Sequence, residues 1–527
     1  MQVGHSFKQR PPRGAFDAIV IGSGLGGLVA AAALARYGQQ RVLVLERHYR
    51  IGGYTHVFTR PGYEWDVGVH YVGAVGEKGT LRPLFDKLSD GQLKWAPLPE
   101  AYDAIELGGR RYELFGGARR FVDALAVHFP HERDVLEQYV KLCTATSRRG
   151  QLALMSRFAP QAAARLQGQK LERTAHDATT RTTREVLSGL TQNEELISVL
   201  TGQYGDYGLP PARSSFMMHA SVVEHYLDGA WYPVGGSSQF ARTLAPGIEA
   251  AGGHLATNAE VREVLIEGGQ AVGVRLITGE ALRAPVVISD AGVPNTFGAL
   301  VPEAQRPPAV LEALRAMAPS SPYFCLYLGF RHTDAELGLN GTNLWVYPDG
   351  KHDENVERFA VDPEAPFPML YFSFPSAKDP DFARRHPGRA TMEVITMARW
   401  EWFSAWADSR WQQRGADYDA LKARFQARLL DAVYARLPQL KGKVDHVELS
   451  TPLSTAHFSG HARGEIYGLD SSPARYRLPL HAKTAVPGLF LTGADLASPG
   501  VGGAAFGGVM TAAALLGSRV MWELMRR

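Results

Sequence analysis

Ala18-Ile-Val-Ile-Gly22-Ser-Gly24-Leu-Gly26-Gly27-Leu28 is the stretch on which the reading of this chain turns. Its four apolar residues predict a short buried strand and its glycines a tight turn. The alanine-rich run from Leu28 to Tyr37 predicts a helix closed by Gly38. Arg41 to Glu46 (RVLVLE) predicts a second buried strand, so the unit is βαβ with a parallel pair and a right-handed crossover. Gly22, Gly24 and Gly27 fill the G-x-G-x-x-G positions. The first permits the turn, the second lets the backbone approach a pyrophosphate, and the third lets helix and strand pack closely. Free N–H groups and the partial positive charge of the helix N-terminus favour the phosphates. Glu46 ends the second strand at the spacing of a ribose-binding carboxylate, which favours FAD or NAD over NADP.

A second glycine pair separates FAD from NAD. Arg50-Ile-Gly52-Gly53 follows closely on Glu46, and a dinucleotide carrying a bulky flavin needs the chain to pass near it again. At the far end, Leu489-Phe-Leu-Thr-Gly493-Ala-Asp495, then Gly502-Gly503, reads as another strand, glycine turn and helix. Arg50 to Gly53 is similar to the second glycine motif of the amine-oxidase and phytoene-desaturase class of flavoproteins. The tail resembles the element that closes on the flavin in that class. The resemblance implies that Asp495 binds the ribitol, that the last helix points its N-terminus at the flavin, and that Val261 holds adenine through its backbone. The expected FAD-binding set is Gly22, Gly24, Gly26, Gly27, Glu46, Arg47, Arg50, Gly52, Gly53, Val261, Gly493, Asp495, Gly502 and Gly503. No metal-ligand pattern is read.

Three further blocks narrow the resemblance. Tyr63-Glu-Trp-Asp66-Val-Gly68-Val-His70-Tyr71-Val-Gly73, Gly464-Glu-Ile-Tyr467-Gly468-Leu-Asp470, and the tryptophan-rich stretch from Trp402 to Tyr418 look like the retinol saturase branch. The carotenoid isomerases share the glycine motifs with it. Two places depart from the saturase pattern, Gly53-Tyr54-Thr55-His56 and Ala497-Ser498-Pro499-Gly500. The resemblance implies a FAD-dependent oxidoreductase acting on carbon–carbon double bonds of a retinoid, carotenoid, other isoprenoid or fatty acyl lipid. Saturation is favoured; desaturation and redox-neutral cis–trans isomerisation use the same scaffold. Saturating a double bond needs a proton as well as a hydride, and His70, Tyr71 and Tyr467 are the expected catalytic residues. A non-catalytic prenyl-lipid carrier, as in Rab escort proteins, is the reading from another class. No second glycine-rich nucleotide fold is read, so electrons are expected from a separate donor or acceptor.

Bulk properties agree with a globular enzyme. The 527 residues are 45 % hydrophobic and 21 % charged, with two cysteines, Cys143 and Cys325. A net charge of +3 gives no case for nucleic acid. Met1 to Phe16 does not read as a signal peptide, and glycine density argues against a membrane span at Ala18–Leu34 or Gly488–Gly517. The expected fold is α/β, a Rossmann-type FAD-binding domain (1–75, 230–300 and 480–527) interleaved with an α+β substrate domain (76–229 and 301–479). Residues 80–227 read as mainly helical, and Arg399 to Leu437 as a long helical region opening with Trp400, Trp402, Phe403, Trp406 and Trp411. Those aromatics read as core or tunnel lining. Arg148, Arg149, Arg157 and Arg165, interleaved with Leu152, Leu154, Met155 and Phe158, read as a basic helix able to touch a membrane. The expected location is the cytoplasm, with peripheral contact at the inner face of a membrane.

Overall fold

Every residue of the Ala18–Ile21 strand is buried, because the sheet it belongs to is covered on both faces. The computed structural model of the chain describes residues 3–156, 179–478 and 480–527. Six strands run parallel in the order His5–Ser6, His254–Thr257, Val42–Leu45, Ala18–Ile21, Val286–Ser289 and Leu489–Leu491. Strand residues alternate between the two faces. Ala18, Val20, Val42 and Val44 pack with the helices Leu25–Gly38, Gln239–Ala250 and Gly500–Leu516. Ile19, Ile21, Leu43 and Leu45 pack with Val264, Val274 and Leu276 of a small antiparallel meander. The α/β, Rossmann-type architecture follows. Ala281–Arg283 and Val286–Ser289 are separate strands: Pro285 cannot donate to a ladder, and beyond it Val286–Ser289 leaves the meander for the parallel sheet.

The second sheet has seven strands in the order Val444–Ser450, Tyr323–Phe330, Ala390–Met397, Leu370–Ser373, Asn343–Tyr347, Ala101–Leu107 and Arg110–Phe115. Only the Asn343–Tyr347 and Ala101–Leu107 pair is parallel. Its two faces differ in chemistry. Phe324, Leu326, Leu328, Leu344, Val346, Phe372, Met392 and Val394 pack with Phe425, Leu429 and Val433 of the helix Ala416–Arg436. The intervening residues, among them Tyr323, Cys325, Tyr327, Trp345, Tyr371, Glu393 and Ile395, point the other way.

Two sequence expectations need correction. The region read as mainly helical contains the strands Trp95–Pro97, Ala101–Leu107 and Arg110–Phe115. The last two form a hairpin through Gly108-Gly109, both with positive φ (55° and 85°), the signature of a tight two-residue loop. The tryptophan run is not on a helix. Trp400–Trp402 and Ser404–Trp406 are single tight turns, and the helix starts at Ala416. Trp402 stacks on Phe425 at 5.4 Å between centroids, and Trp406 packs edge-on to Tyr418 at 5.8 Å. Arg148 and Arg149 are exposed on the helix Arg133–Ser156, while Arg157, Phe158 and Arg165 lie outside the described residues. Among the described residues no helix is long and apolar enough to cross a membrane.

Phe425 anchors the helix-facing side of the second sheet: it is fully buried, 4.5 Å from the Phe324 ring. Truncation to Ala is expected to cost about 3–5 kcal/mol. The check is a lower urea midpoint for Phe425→Ala in unfolding followed by far-UV circular dichroism.

Candidate functional site

The site begins where backbone segments distant in sequence meet without side chains. A Cβ on Gly24 would stand 2.5 Å from Asp290 Oδ2, and one on Gly26 2.6 Å from the Gly493 nitrogen. One on Gly53, whose φ is +53°, would stand 2.8 Å from Gly24 Cα. Gly27 explains itself in the same way, 2.7 Å from the Gly22 carbonyl oxygen, and Gly503 would strike the Ser498 carbonyl. Gly502 has more room, its nearest neighbour being a Leu81 methyl at 3.1 Å. Ser23, inside the first motif and fully buried, links the segments. Its amide and hydroxyl both donate to Glu46 Oε2 (3.0 and 2.6 Å), and its oxygen accepts from the Gly52 amide at 3.0 Å. Glu46 Oε1 accepts from the His48 amide at 2.8 Å. Burial raises the Glu46 carboxyl above its usual range, and the Ser23 and His48 donors oppose that.

From this crossing one cavity of about 1030 Å³ runs between the two sheets. That is the top of the ~300–1,000 Å³ range of small-molecule sites. Gly22, Gly24, Gly26, Glu46, Arg47, Arg50, Gly53, Val261 and Asp495 line it, as do His70 and Tyr467. Gly27, Gly52, Gly493, Gly502, Gly503 and Tyr71 lie behind its wall. Asp495 braces the wall: Oδ2 accepts from the Val293 amide at 2.8 Å and Oδ1 from the Leu469 amide at 2.9 Å. Asp290 lies under the first glycine loop, its carboxyl pushed up to about 7 by burial against the opposing amides of Gly27 and Gly24. Arg50 Nε and Thr492 Oγ1 are among the buried polar atoms of lining residues that have no hydrogen-bond partner in the protein. A glycine cradle without room for a Cβ, free donors beside it and a carboxylate at the end of the second strand fit a flavin dinucleotide.

Beyond the cradle the cavity follows the inward face of the second sheet, past Tyr323, Trp345, Met369, Tyr371 and Ile395. A buried polar cluster backs this wall. His70 Nδ1 lies 2.8 Å from Glu393 Oε2. Burial, with the Lys378 charge beside it, pulls the imidazole down to about 3, so His70 is neutral at ordinary pH. Burial pushes Glu393 up to about 8, against the pull of Lys378. Burial likewise lowers Lys378 to about 8, and its ammonium donates to the His70 carbonyl at 2.9 Å and to Ser373 Oγ at 2.7 Å. The Tyr467 hydroxyl donates to the Gly205 carbonyl at 3.0 Å. Sequence reasoning passed over Ser23, Asp206, Lys378 and Glu393. Glu393 had a readable signal, a carboxylate inside the apolar alternation Met392-Glu-Val-Ile-Thr-Met397. Among the described residues no group of His, Cys, Asp and Glu could hold a metal ion.

Comparison with known proteins follows the same lines. The family model described as flavin containing amine oxidoreductase matches residues 25–516. All-trans-retinol 13,14-reductase of Danio rerio is 36 % identical over 530 residues, covering 96 % of this chain and 86 % of that protein. Prolycopene isomerase 2, chloroplastic, of an Oncidium hybrid cultivar is 27 % identical over 522 residues, covering 94 % and 83 %. Among solved structures, cyclohexylamine oxidase from Brevibacterium oxydans superposes with a TM-score of 0.60 at 18 % identity, covering 97 % of this chain and 100 % of that one. The glycine crossing, the carboxylate that ends the second strand and the match along nearly the whole length have one explanation: the chain belongs to the flavin-containing amine oxidoreductase family, and its cofactor is FAD.

Proposed function

We propose that this protein is a FAD-dependent oxidoreductase that saturates a carbon–carbon double bond of a long apolar polyene of retinoid or carotenoid type. The observation that carries the reading is the single cavity, which joins the glycine cradle to an aromatic and aliphatic sheet face. An extended polyene lies along such a face with its apolar surface out of water. The retinol reductase relative favours saturation. FAD, when bound, supplies the hydride chemistry. The chain does the rest. Glu46, held by Ser23 and His48, receives the ribose hydroxyls, and the helix N-terminus at Leu25 and Gly26 receives the pyrophosphate. Arg47, Arg50 and Val261 flank the nucleotide end. Asp495 fixes the turn before the last helix. Tyr323, Trp345 and Tyr371 exclude water from the polyene. His70, Tyr71 and Tyr467 hold the wall beside it.

Isomerisation is the second reading, favoured by the prolycopene isomerase relative. Contact with a membrane surface belongs to the proposal as well. Trp411 stands at the cavity and is 37 % exposed, an amphipathic ring suited to the headgroup region. Electrons are supplied by a separate donor.

Anaerobic incubation of the reduced holoenzyme with all-trans-retinol and with a linear carotene should yield a product heavier by two hydrogens on mass spectrometry. A product of equal mass supports isomerisation instead, and one lighter by two, from oxidised enzyme, supports desaturation. Glu46→Gln should weaken reconstitution of apoprotein with FAD. Losing a charged acceptor costs about 1.5–3 kcal/mol, which is roughly ten- to hundredfold in Kd. Flavin fluorescence quenching during titration measures it.

A further inference from the structure

We propose that Asp206 is the acid that protonates the substrate carbon, held as a carboxylic acid by Tyr71 and the buried carboxylate Asp103; the proposal rests on the saturation reading above. The Tyr71 hydroxyl oxygen is 3.0 Å from Asp103 Oδ2 and 2.9 Å from Asp206 Oδ2. A tyrosine has one hydrogen to donate, and two carboxylates bring none. One of the two contacts therefore needs a proton on the aspartate.

Asp103 is the ionised partner: burial raises its carboxyl too, but the Asn343, Gln203, Tyr71 and Trp345 donors oppose that. It is fully buried, and three N–H groups converge on it: Gln203 Nε2 at 2.7 Å and Trp345 Nε1 at 3.1 Å on Oδ2, and Asn343 Nδ2 at 2.8 Å on Oδ1. Donors aimed at both oxygens stabilise the anion. Tyr71 completes that set by donating to Asp103. Asp206 then donates its own acid hydrogen to the Tyr71 oxygen. Burial first, then the Asp103 charge, hold the Asp206 carboxyl well above the usual range.

Position separates the two acids as well. Asp206 lines the cavity and is partly exposed to it, whereas Asp103, Tyr71 and Gln203 lie behind. The other candidates are weaker acids than a carboxyl, and burial raises the Tyr467 and Tyr323 hydroxyls further above the usual phenol range. Both the Tyr467 and the Tyr323 hydroxyls donate to the carbonyl of Gly205, the residue before Asp206, at 3.0 and 3.2 Å. His70 is neutral and directed at Glu393.

In the step, a hydride supplied by reduced FAD bonds to one carbon of the double bond. The π electron pair bonds the other carbon to the Asp206 proton. The Asp206 O–H bond breaks, its electrons remain on the carboxylate, and water later restores the proton. One C=C becomes CH–CH, and FAD leaves the step oxidised. The titratable groups around Asp206 are Asp103, Tyr71, Tyr102, Tyr207, Tyr226, Tyr323, Tyr347, Tyr371 and Tyr467. The Lys378 ammonium lies 5.8 Å from the Tyr71 ring centroid. Tyr71 and Asp103 are positioning residues.

Two measurements on the holoenzyme test this. Infrared spectra in H2O and D2O should contain a carboxylic-acid C=O band, sensitive to deuteration, that Asp206→Asn removes. Asp206→Asn should keep its FAD and slow anaerobic single-turnover reduction by about 10²–10⁴-fold. Asp206→Glu should recover part of both, and it decides the matter if Asp206→Asn loses FAD. The rate needs a protonated Asp206, so it falls as pH rises through that group's pKa. Asp103→Asn removes the neighbouring charge, lowers that pKa and should move the alkaline limb to lower pH. Glu393 and Asp290 contribute acid bands of their own, so the readout is the difference between wild type and Asp206→Asn; a difference spectrum without a carboxylic-acid band, a wild-type rate in that variant, or a limb unmoved in Asp103→Asn overturns the proposal. Wild-type enzyme that forms no product heavier by two hydrogens overturns the saturation reading and with it the catalytic role. The infrared band then still decides whether Asp206 holds the proton.

Discussion

Gly26 and Gly493 meet backbone to backbone, and most of the molecule is arranged so that they can. The helix that starts at Leu25 and the helix that starts at Gly500 lie against each other because Gly508 would place a Cβ 2.6 Å from the Gly26 carbonyl oxygen, and Gly507 would place one 2.8 Å from the Gly493 nitrogen. Gly53 closes on Gly24 from the other side. Segments from the beginning and the end of the chain thus share a volume with no space for side chains. What remains there is backbone N–H, which suits phosphate and excludes bulk. Ser23 ties this crossing to Glu46 and to Gly52, so the ribose carboxylate and the second glycine pair are positioned by one buried hydroxyl.

The second sheet answers a different demand. Its helix-facing side is aliphatic and aromatic, an ordinary core. Its cavity side carries Glu393, Asp103 and the tyrosines at 323, 327 and 371, and behind that wall lie Lys378 and Tyr71. Burying several ionisable groups is unfavourable unless each is hydrogen-bonded or paired. Here Asp103 collects donors from three segments, at Tyr71, at Gln203 and on the strand Asn343–Tyr347, and Tyr232 donates to Asp66. Such a cluster contributes little to stability compared with apolar residues of the same volume, and its concentration along one wall points to chemistry.

How much of this was legible depended on distance along the chain. The strand, loop and helix around Gly22 are written in the twenty-one consecutive residues from Ala18 to Gly38, and the tail around Gly493 is similarly local; patterns of that kind decide the architecture. The hairpin at Gly108-Gly109 was legible too, but the helical reading of its surroundings obscured it. The tryptophan run misled because aromatic spacing suits a helix as well as two tight turns packed on Phe425. The Asp206, Tyr71 and Asp103 arrangement lies beyond sequence reasoning, since Tyr71, Gln203 and the strand Asn343–Tyr347 reach Asp103 from three distant segments. Only the register of Asn343–Tyr347 against Ala101–Leu107 brings Asn343 opposite Asp103.

The central claim is that the crossing of Gly26 with Gly493 is what makes the flavin site. The direct measurement is the FAD-to-protein ratio of purified Gly26→Ala beside the unaltered chain, read from the visible spectrum and from the released cofactor. The account predicts about one FAD per unaltered chain and almost none in the variant, because a single methyl group has to enter the space of the Gly493 backbone. A Gly26→Ala protein that holds FAD as fully as the unaltered chain would contradict it.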